Sequence, residues 1–189
     1  MRQLKLQVQM TVDGFVAGPN GEMDWMIFDW DDTLKSYVNE LTGPIGGIVL
    51  GRKLAEGFIP HWAAVAANPE NPDHAAGKKF TETPKVVFSR TLDHCPWENT
   101  SLAGRELVAE VTDLKNQEGG YLMAYGGATF VASLIKHGLI DEIYLFVNPV
   151  ALGQGMNIFD ELDLHQKMVL QKATKFDCGI VVLQYEPIR

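Results

Sequence analysis

The chain has 189 residues, 46% of them apolar and 21% charged, enough to take roughly 70% of the unfolded chain's surface into one core, so a single domain spanning residues 1–189 is expected. Its formal net charge of -8 speaks against nucleic acid and anionic membranes as partners, because both are held through clustered Lys and Arg. No apolar run is long enough to span a bilayer, and the first residues, Met1-Arg2-Gln3-Leu4-Lys5, lack the apolar core of a secretory signal; the cytoplasm is the expected compartment.

The first element is a strand: Leu4 to Met10 alternates apolar and polar residues, and Asp13-Gly14 follows as a turn. Asp29 to Leu41 carries Trp30, Leu34, Tyr37, Val38 and Leu41 at helical spacing, with acidic residues in its first turn and Gly43-Pro44 beyond its end. Ile45 to Leu50 reads as a buried strand, followed by Gly51-Arg52-Lys53 and a helix ending near Phe58. Residues 60–84, rich in proline and asparagine around a short helical patch, read as a surface excursion.

Lys85 to Ser89 is the next strand, and Glu106 to Asn116 a helix closed by Gly119-Gly120. Tyr121 to Tyr125 is a strand, Gly126-Gly127 a tight turn and Ala128 to His137 a helix. Three strand-like runs end the chain: Glu142 to Val150, Met168 to Thr174 and Ile180 to Tyr185. Alternating strands and helices followed by consecutive strands describe an α/β protein with a mixed, mainly parallel sheet, helices on both faces and a C-terminal antiparallel hairpin. The apolar terminal strands make a homodimer by edge pairing one expectation, and coverage of those edges another.

Ligands of open α/β sheets bind beyond the carboxyl ends of the strands, where glycine turns admit a phosphate and helix N-termini favour negative charge. Leu50-Gly51-Arg52-Lys53 and Tyr125-Gly126-Gly127-Ala128-Thr129 both fit, although a short strand-to-helix turn needs glycine for its own sake as well. Ser89-Arg90, at a strand end, pairs a hydroxyl with a guanidinium, a combination suited to the 2′-phosphate of NADPH. Other chemistries lack their patterns. Gly46 to Lys53 departs from a nucleotide-triphosphate loop at both cationic and hydroxyl positions, Gly153-Gln154-Gly155 lacks the third dinucleotide-motif glycine, and no serine lies in GxSxG. Cys95 and Cys178 form no CxxC, and the five histidines have no metal-ligand spacing, so no metal is expected.

In order along the chain stand Met10-Thr11-Val12-Asp13-Gly14-Phe15-Val16-Ala17-Gly18, Trp25, Leu50-Gly51-Arg52-Lys53, Val87-Phe88-Ser89-Arg90, Tyr125-Gly126-Gly127-Ala128 and Pro149 to Gly155. This series resembles the dihydrofolate reductase superfamily, in particular the branch containing the reductase domain of riboflavin biosynthesis. The resemblance implies a three-layer fold and NADPH as cofactor, with Gly51, Arg52, Lys53, Ser89, Arg90, Gly126, Gly127 and Ala128 around its phosphates, to which the junction itself adds the Thr129 hydroxyl. It places Val16 and Ala17 beside the nicotinamide and Asp13 and Trp25 at the substrate, Asp13 being the best candidate for a proton relay, unless it serves only the Asp-Gly turn. Dihydrofolate reductases carry an acid five positions after the tryptophan; here that position is Trp30, flanked by Asp29 and Asp31. Either could contact substrate, and both are explained equally as helix-start acids. Hydride transfer to a small heterocycle is therefore expected, with a dihydrofolate or pterin reductase and a non-catalytic nucleotide-binding protein as alternatives. The HxE pattern of the deaminase often fused to the riboflavin reductase is missing.

Overall fold

The computed structural model describes residues 1–188. Eight strands form one sheet: β1 (Leu4–Thr11), β2 (Gly47–Gly51), β3 (Lys85–Phe88), β4 (Thr100–Leu102), β5 (Leu122–Tyr125), β6 (Glu142–Asn148), β7 (Met168–Lys175) and β8 (Val181–Pro187). Their order is β4-β3-β2-β5-β1-β6-β8-β7. Neighbours run parallel from β4 to β6, and β8 pairs antiparallel with both β6 and β7, which gives the expected terminal hairpin.

Five helices cover the two faces: α1 (Asp32–Thr42), α2 (Arg52–Ala67), α3 (His74–Glu82), α4 (Leu107–Asn116) and α5 (Ala128–Lys136). Alternation in β1 decides which face receives which helices. Leu4, Leu6, Val8 and Met10 join Val111 and Leu114 of α4 and Val131, Leu134 and Ile135 of α5 in one core. On the opposite face the apolar contacts divide. Ile48, Leu50, Val87 and Met123 pack under α2 and α3, whereas Phe146, Ile180 and Val182 pack under Leu34 of α1. Between these two cores β1 presents Lys5, Gln7 and Gln9, which belong to neither.

Several boundaries differ from the sequence reading. The first helix begins at Asp32, not Asp29, because Asp31 is its N-cap: its carboxylate accepts from the Leu34 amide at 2.8 Å and from the Thr33 hydroxyl. The second helix does not stop near Phe58 but continues through Pro60 to Ala67. Residues 60–84 are therefore not a loose excursion. α3 lies against α2 with Gly77 at the crossing, where a Cβ would come within 2.6 Å of the Ala66 nitrogen. Packing of Phe58 and Trp62 on Phe80 offsets the hydrogen bond that Pro60 removes from α2. Lys85 is buried and donates to the Phe80, Thr81 and Thr83 carbonyls, closing the end of α3. β4 is an addition, too short and too polar to be visible as a strand.

Candidate active site

Parallel pairing brings the carboxyl ends of β3, β2, β5, β1 and β6 to one edge of the sheet. Gly51 lies opposite Phe88, Gln7 opposite Tyr125 and Thr11 opposite Asn148. The segments that follow, Ser89-Arg90, Arg52-Lys53, Gly126-Gly127 and the loop after Thr11, consequently form one row.

Two helix starts converge in this row. A Cβ on Gly51 would meet Phe130 Cβ, in the first turn of α5, at 2.8 Å, and the closest atoms to Cβ positions on Gly126 and Gly127 belong to Leu54, in the first turn of α2. Gly51 is thus required by packing. Gly127 is required by its backbone, at φ 81°. Gly126 has neither reason: its φ is not positive, and an added Cβ would find only the flexible end of Leu54 at an ordinary 3.6 Å.

Both helix starts have glycine at the cap position, no side-chain cap and no acid in the first turn. α1, by contrast, carries the Asp31 cap and Asp32 in its first turn. In α2 the first turn even holds Arg52 and Lys53, whose charges oppose the helix dipole and suit an anion placed between them. Arg52 is 2.6 Å from Glu56, while Lys53 and Arg90 are exposed without ion pairs among the described residues. The Ser89 hydroxyl accepts from the Thr91 and Leu92 amides at 3.1 and 3.0 Å and so shapes the turn that presents Arg90. Beside the start of α5 a groove of about 310 Å³ runs between Ala128 and Thr129 on one side and Gly155, Met156 and Asn157 on the other.

The loop after β1 is fastened to the loop after β6. The Val12 amide donates to Val150, the Val16 amide to Met156 and the Met156 amide to the Ala17 carbonyl. Gly155 is a glycine because the Ala17 carbonyl occupies the space of its Cβ. Among the described residues the Val16 carbonyl and the Ala17 N–H take no part in this ladder, which leaves them able to meet a bound ligand.

Asp13 tightens the same junction. Its carboxylate accepts from the Thr11 hydroxyl at 2.6 Å, from the Gly153 amide at 2.7 Å and from the Leu152 amide at 3.0 Å. Those bonds, the Thr11 one foremost, hold its pKa below the ordinary carboxylate value. A carboxylate fixed as an anion and filled with donors is a clamp between loops, poorly suited to giving up a proton.

The other candidates lie on the segment leading into α1. The Trp25 indole donates to the Glu22 carbonyl at 3.2 Å, and Asp29 is exposed. Asp31 is engaged twice: besides capping α1 it accepts from the Cys178 amide at 3.0 Å, and these bonds, led by Thr33, depress its pKa strongly. The segment is anchored where the Ile27 amide donates to Asn148 Oδ1 at 3.0 Å. Among the described residues no group of three or more His, Cys, Asp or Glu is placed to hold a metal ion, and no helix is long and apolar enough to cross a membrane.

Reading the sequence did not single out the polar floor between α1 and α2. Lys5 pairs with Glu142 at 3.0 Å, and Glu142 also accepts from the Tyr144 hydroxyl at 2.6 Å. Gln9 accepts from Asn148 Nδ2 at 2.8 Å. Between them Gln7, 7% exposed, has no partner for Oε1 among the described residues, and the buried hydroxyl of its neighbour Tyr125 has none among them either. The alternation of β1 was the available signal: on a central strand covered on both sides, the polar set must line something other than bulk water.

The fold is a mixed α/β sheet with glycine turns and helix starts gathered at one edge, and the family is shown directly: the chain belongs to the RibD C-terminal domain family, whose model matches residues 2–182. It is 31% identical to the uncharacterised protein YyaP of Bacillus subtilis over 97% of this chain and 94% of that one, and 24% identical to YwjB of the same organism, also uncharacterised, over 93% and 92%. The fold is similar to that of a putative riboflavin biosynthesis protein from Shewanella (TM-score 0.71, 21% identity, all of both chains). It is similar as well to Enterococcus faecalis dihydrofolate reductase complexed with NADP(H) (TM-score 0.62, 18% identity, 99% of this chain and 97% of that one). A deaminase/5-amino-6-(5-phosphoribosylamino)uracil reductase from Thermotoga maritima matches over 99% of this chain and 57% of its own length (TM-score 0.69, 18% identity).

Proposed function

We propose that the chain is an NADPH-dependent reductase acting on a small heterocycle, in the manner of the 5-amino-6-(5-phosphoribosylamino)uracil reductases its fold resembles. The observation that carries this reading is the convergence of two uncapped, acid-free helix starts on Gly126 and on the Arg52-Lys53 pair. Gly126 leaves open the space where backbone amides would meet a pyrophosphate, and the residues therefore fit the cofactor. Gly51, Arg52, Lys53, Gly126, Gly127, Ala128 and Thr129 would hold its phosphates, Ser89 and Arg90 its 2′-phosphate, and Val16 and Ala17 its nicotinamide end through the free carbonyl and N–H.

When bound, NADPH supplies a hydride for a C=N or C=O bond. The chain's own part is orientation and exclusion of water. Asp13 acts as a positioning residue by clamping the loop that carries Val16 and Ala17, while Trp25 and Asp29 border the substrate opening. Asp31 is consumed as the cap of α1, so of the two acids flanking Trp30 it is Asp29 that would meet a substrate.

The test is NADPH consumption with dihydrofolate, simple pterins and riboflavin-pathway uracils offered as acceptors. Turnover with a uracil or pterin is expected. Nucleotide binding without turnover on any acceptor would leave a binding protein on a reductase fold.

A further inference from the structure

The inner face of β1 carries three polar side chains in a row, and two are fully explained inside the chain. Lys5 is neutralised by Glu142. Gln9 is engaged by Asn148, which is 0% exposed and itself held against Phe146 and Ile27. Gln7 is the exception. It is buried, its Oε1 has no donor among the described residues, and turning the amide over would put an Nε2 donor in the same unpartnered place. On β5 the residue in register with it, Tyr125, has a buried hydroxyl without a partner, although Phe58 stacks on its ring at 5.2 Å and holds it still.

Leaving a buried amide and phenol unsatisfied costs stability that Leu and Phe at these positions would recover. The two orphans are side by side in register: Gln7 belongs to neither the α1 core nor the α2 core, and Tyr125 packs its ring at the margin of the α2 core. We propose that Gln7 and Tyr125 form a ligand-reading pair that recognises a neutral heterocycle through adjacent N–H and C=O groups, a lactam edge. A primary amide matches such an edge with one donor and one acceptor, as it does a nucleobase edge. The Tyr125 phenol adds a further donor; burial raises its pKa far above the usual value and keeps it protonated. Lys5 and Glu142 cancel each other's charge, so the floor offers no net charge to an anionic ring. Both orphaned atoms are closed to solvent in the free chain, and binding must therefore part the groups that line α1 and α2.

This pair deepens the reductase reading and rests on it for the bond that is reduced, but recognition is measured without cofactor. Lumazine, a fluorescent pteridine-dione with two lactam N–H groups, is titrated in neutral buffer alongside dimethyllumazine, in which both are methylated. Lumazine is expected to bind at least about tenfold more tightly than dimethyllumazine, and Gln7→Leu and Tyr125→Phe each to weaken lumazine about tenfold or more. Both variants are expected to melt at or above the wild-type temperature and to titrate NADPH normally. Equal affinity for the two probes, no binding of lumazine, or variants that lose stability rather than lumazine affinity would overturn the assignment. A chain that binds lumazine as described but not NADPH would refute the reductase reading and leave the pair standing.

Discussion

Replacing Gly126 with alanine separates a glycine kept for a ligand from glycines kept for the fold. The added methyl group lies 3.6 Å from Leu54 Cδ2, an ordinary contact with a movable atom, and the backbone there has no positive φ. Stability should therefore be unchanged or rise by about 0.4–1 kcal/mol, through the smaller entropy of the unfolded chain. NADPH affinity should fall, because the methyl group keeps a phosphate from the amides at the start of α5. Loss of one hydrogen bond to a charged group, about 1.5–3 kcal/mol, corresponds to about ten- to a hundredfold in affinity. Thermal melting followed by fluorescence titration with NADPH reads both quantities on one sample. Wild-type affinity in Gly126→Ala would show that no phosphate meets the amides there, and a large drop in melting temperature would show that Gly126 is kept for the fold.

Gly51→Ala should behave in the opposite way. Its methyl group meets Phe130 Cβ, which cannot rotate aside, so overpacking should cost about 1–3 kcal/mol and lower the melting temperature by about 2–12 °C, whereas Gly57→Ala, facing open space in α2, should stabilise. Asp13→Asn weakens the acceptor of the Leu152 and Gly153 amides, so hydrogen exchange should quicken at both, and turnover should fall more than NADPH binding; unchanged exchange would remove Asp13 from the clamp. The depressed pKa values of Asp13 and Asp31 contribute stability that is present above about pH 4 and lost as the pH falls below the unfolded carboxylate value. At the other extreme, burial and then Glu142 push Tyr121 up to about 12, so stability should hold below about pH 10 and decline from there upward. Melting curves across pH check both limbs.

The strands and the glycine junctions were legible because each carries its signal locally: alternation in β1, buried runs in β2, β3 and β5, and Gly126-Gly127 before a helical face. The course of residues 60–84 was not. Pro60 argues locally for a break, and only the distant packing of Phe80 on Trp62 and the bare Gly77 crossing make a continuous α2 with α3 upon it. Likewise, Asp31 shows in sequence only as one acid among three; its role as a cap also tied to Cys178 depends on a residue far along the chain. Gln7 and Tyr125 were hidden for the same reason, since a polar residue on an alternating strand looks solvated until its neighbours and covering helices are known.

A site for NADPH at the carboxyl edge of the sheet is tested by titrating the wild-type chain and Arg90→Ala with NADPH and with NADH. NADPH is expected to bind the wild type more tightly than NADH does, and Arg90→Ala to weaken NADPH selectively, bringing the two nucleotides close to equal affinity. Failure of either nucleotide to bind the wild-type chain would contradict it.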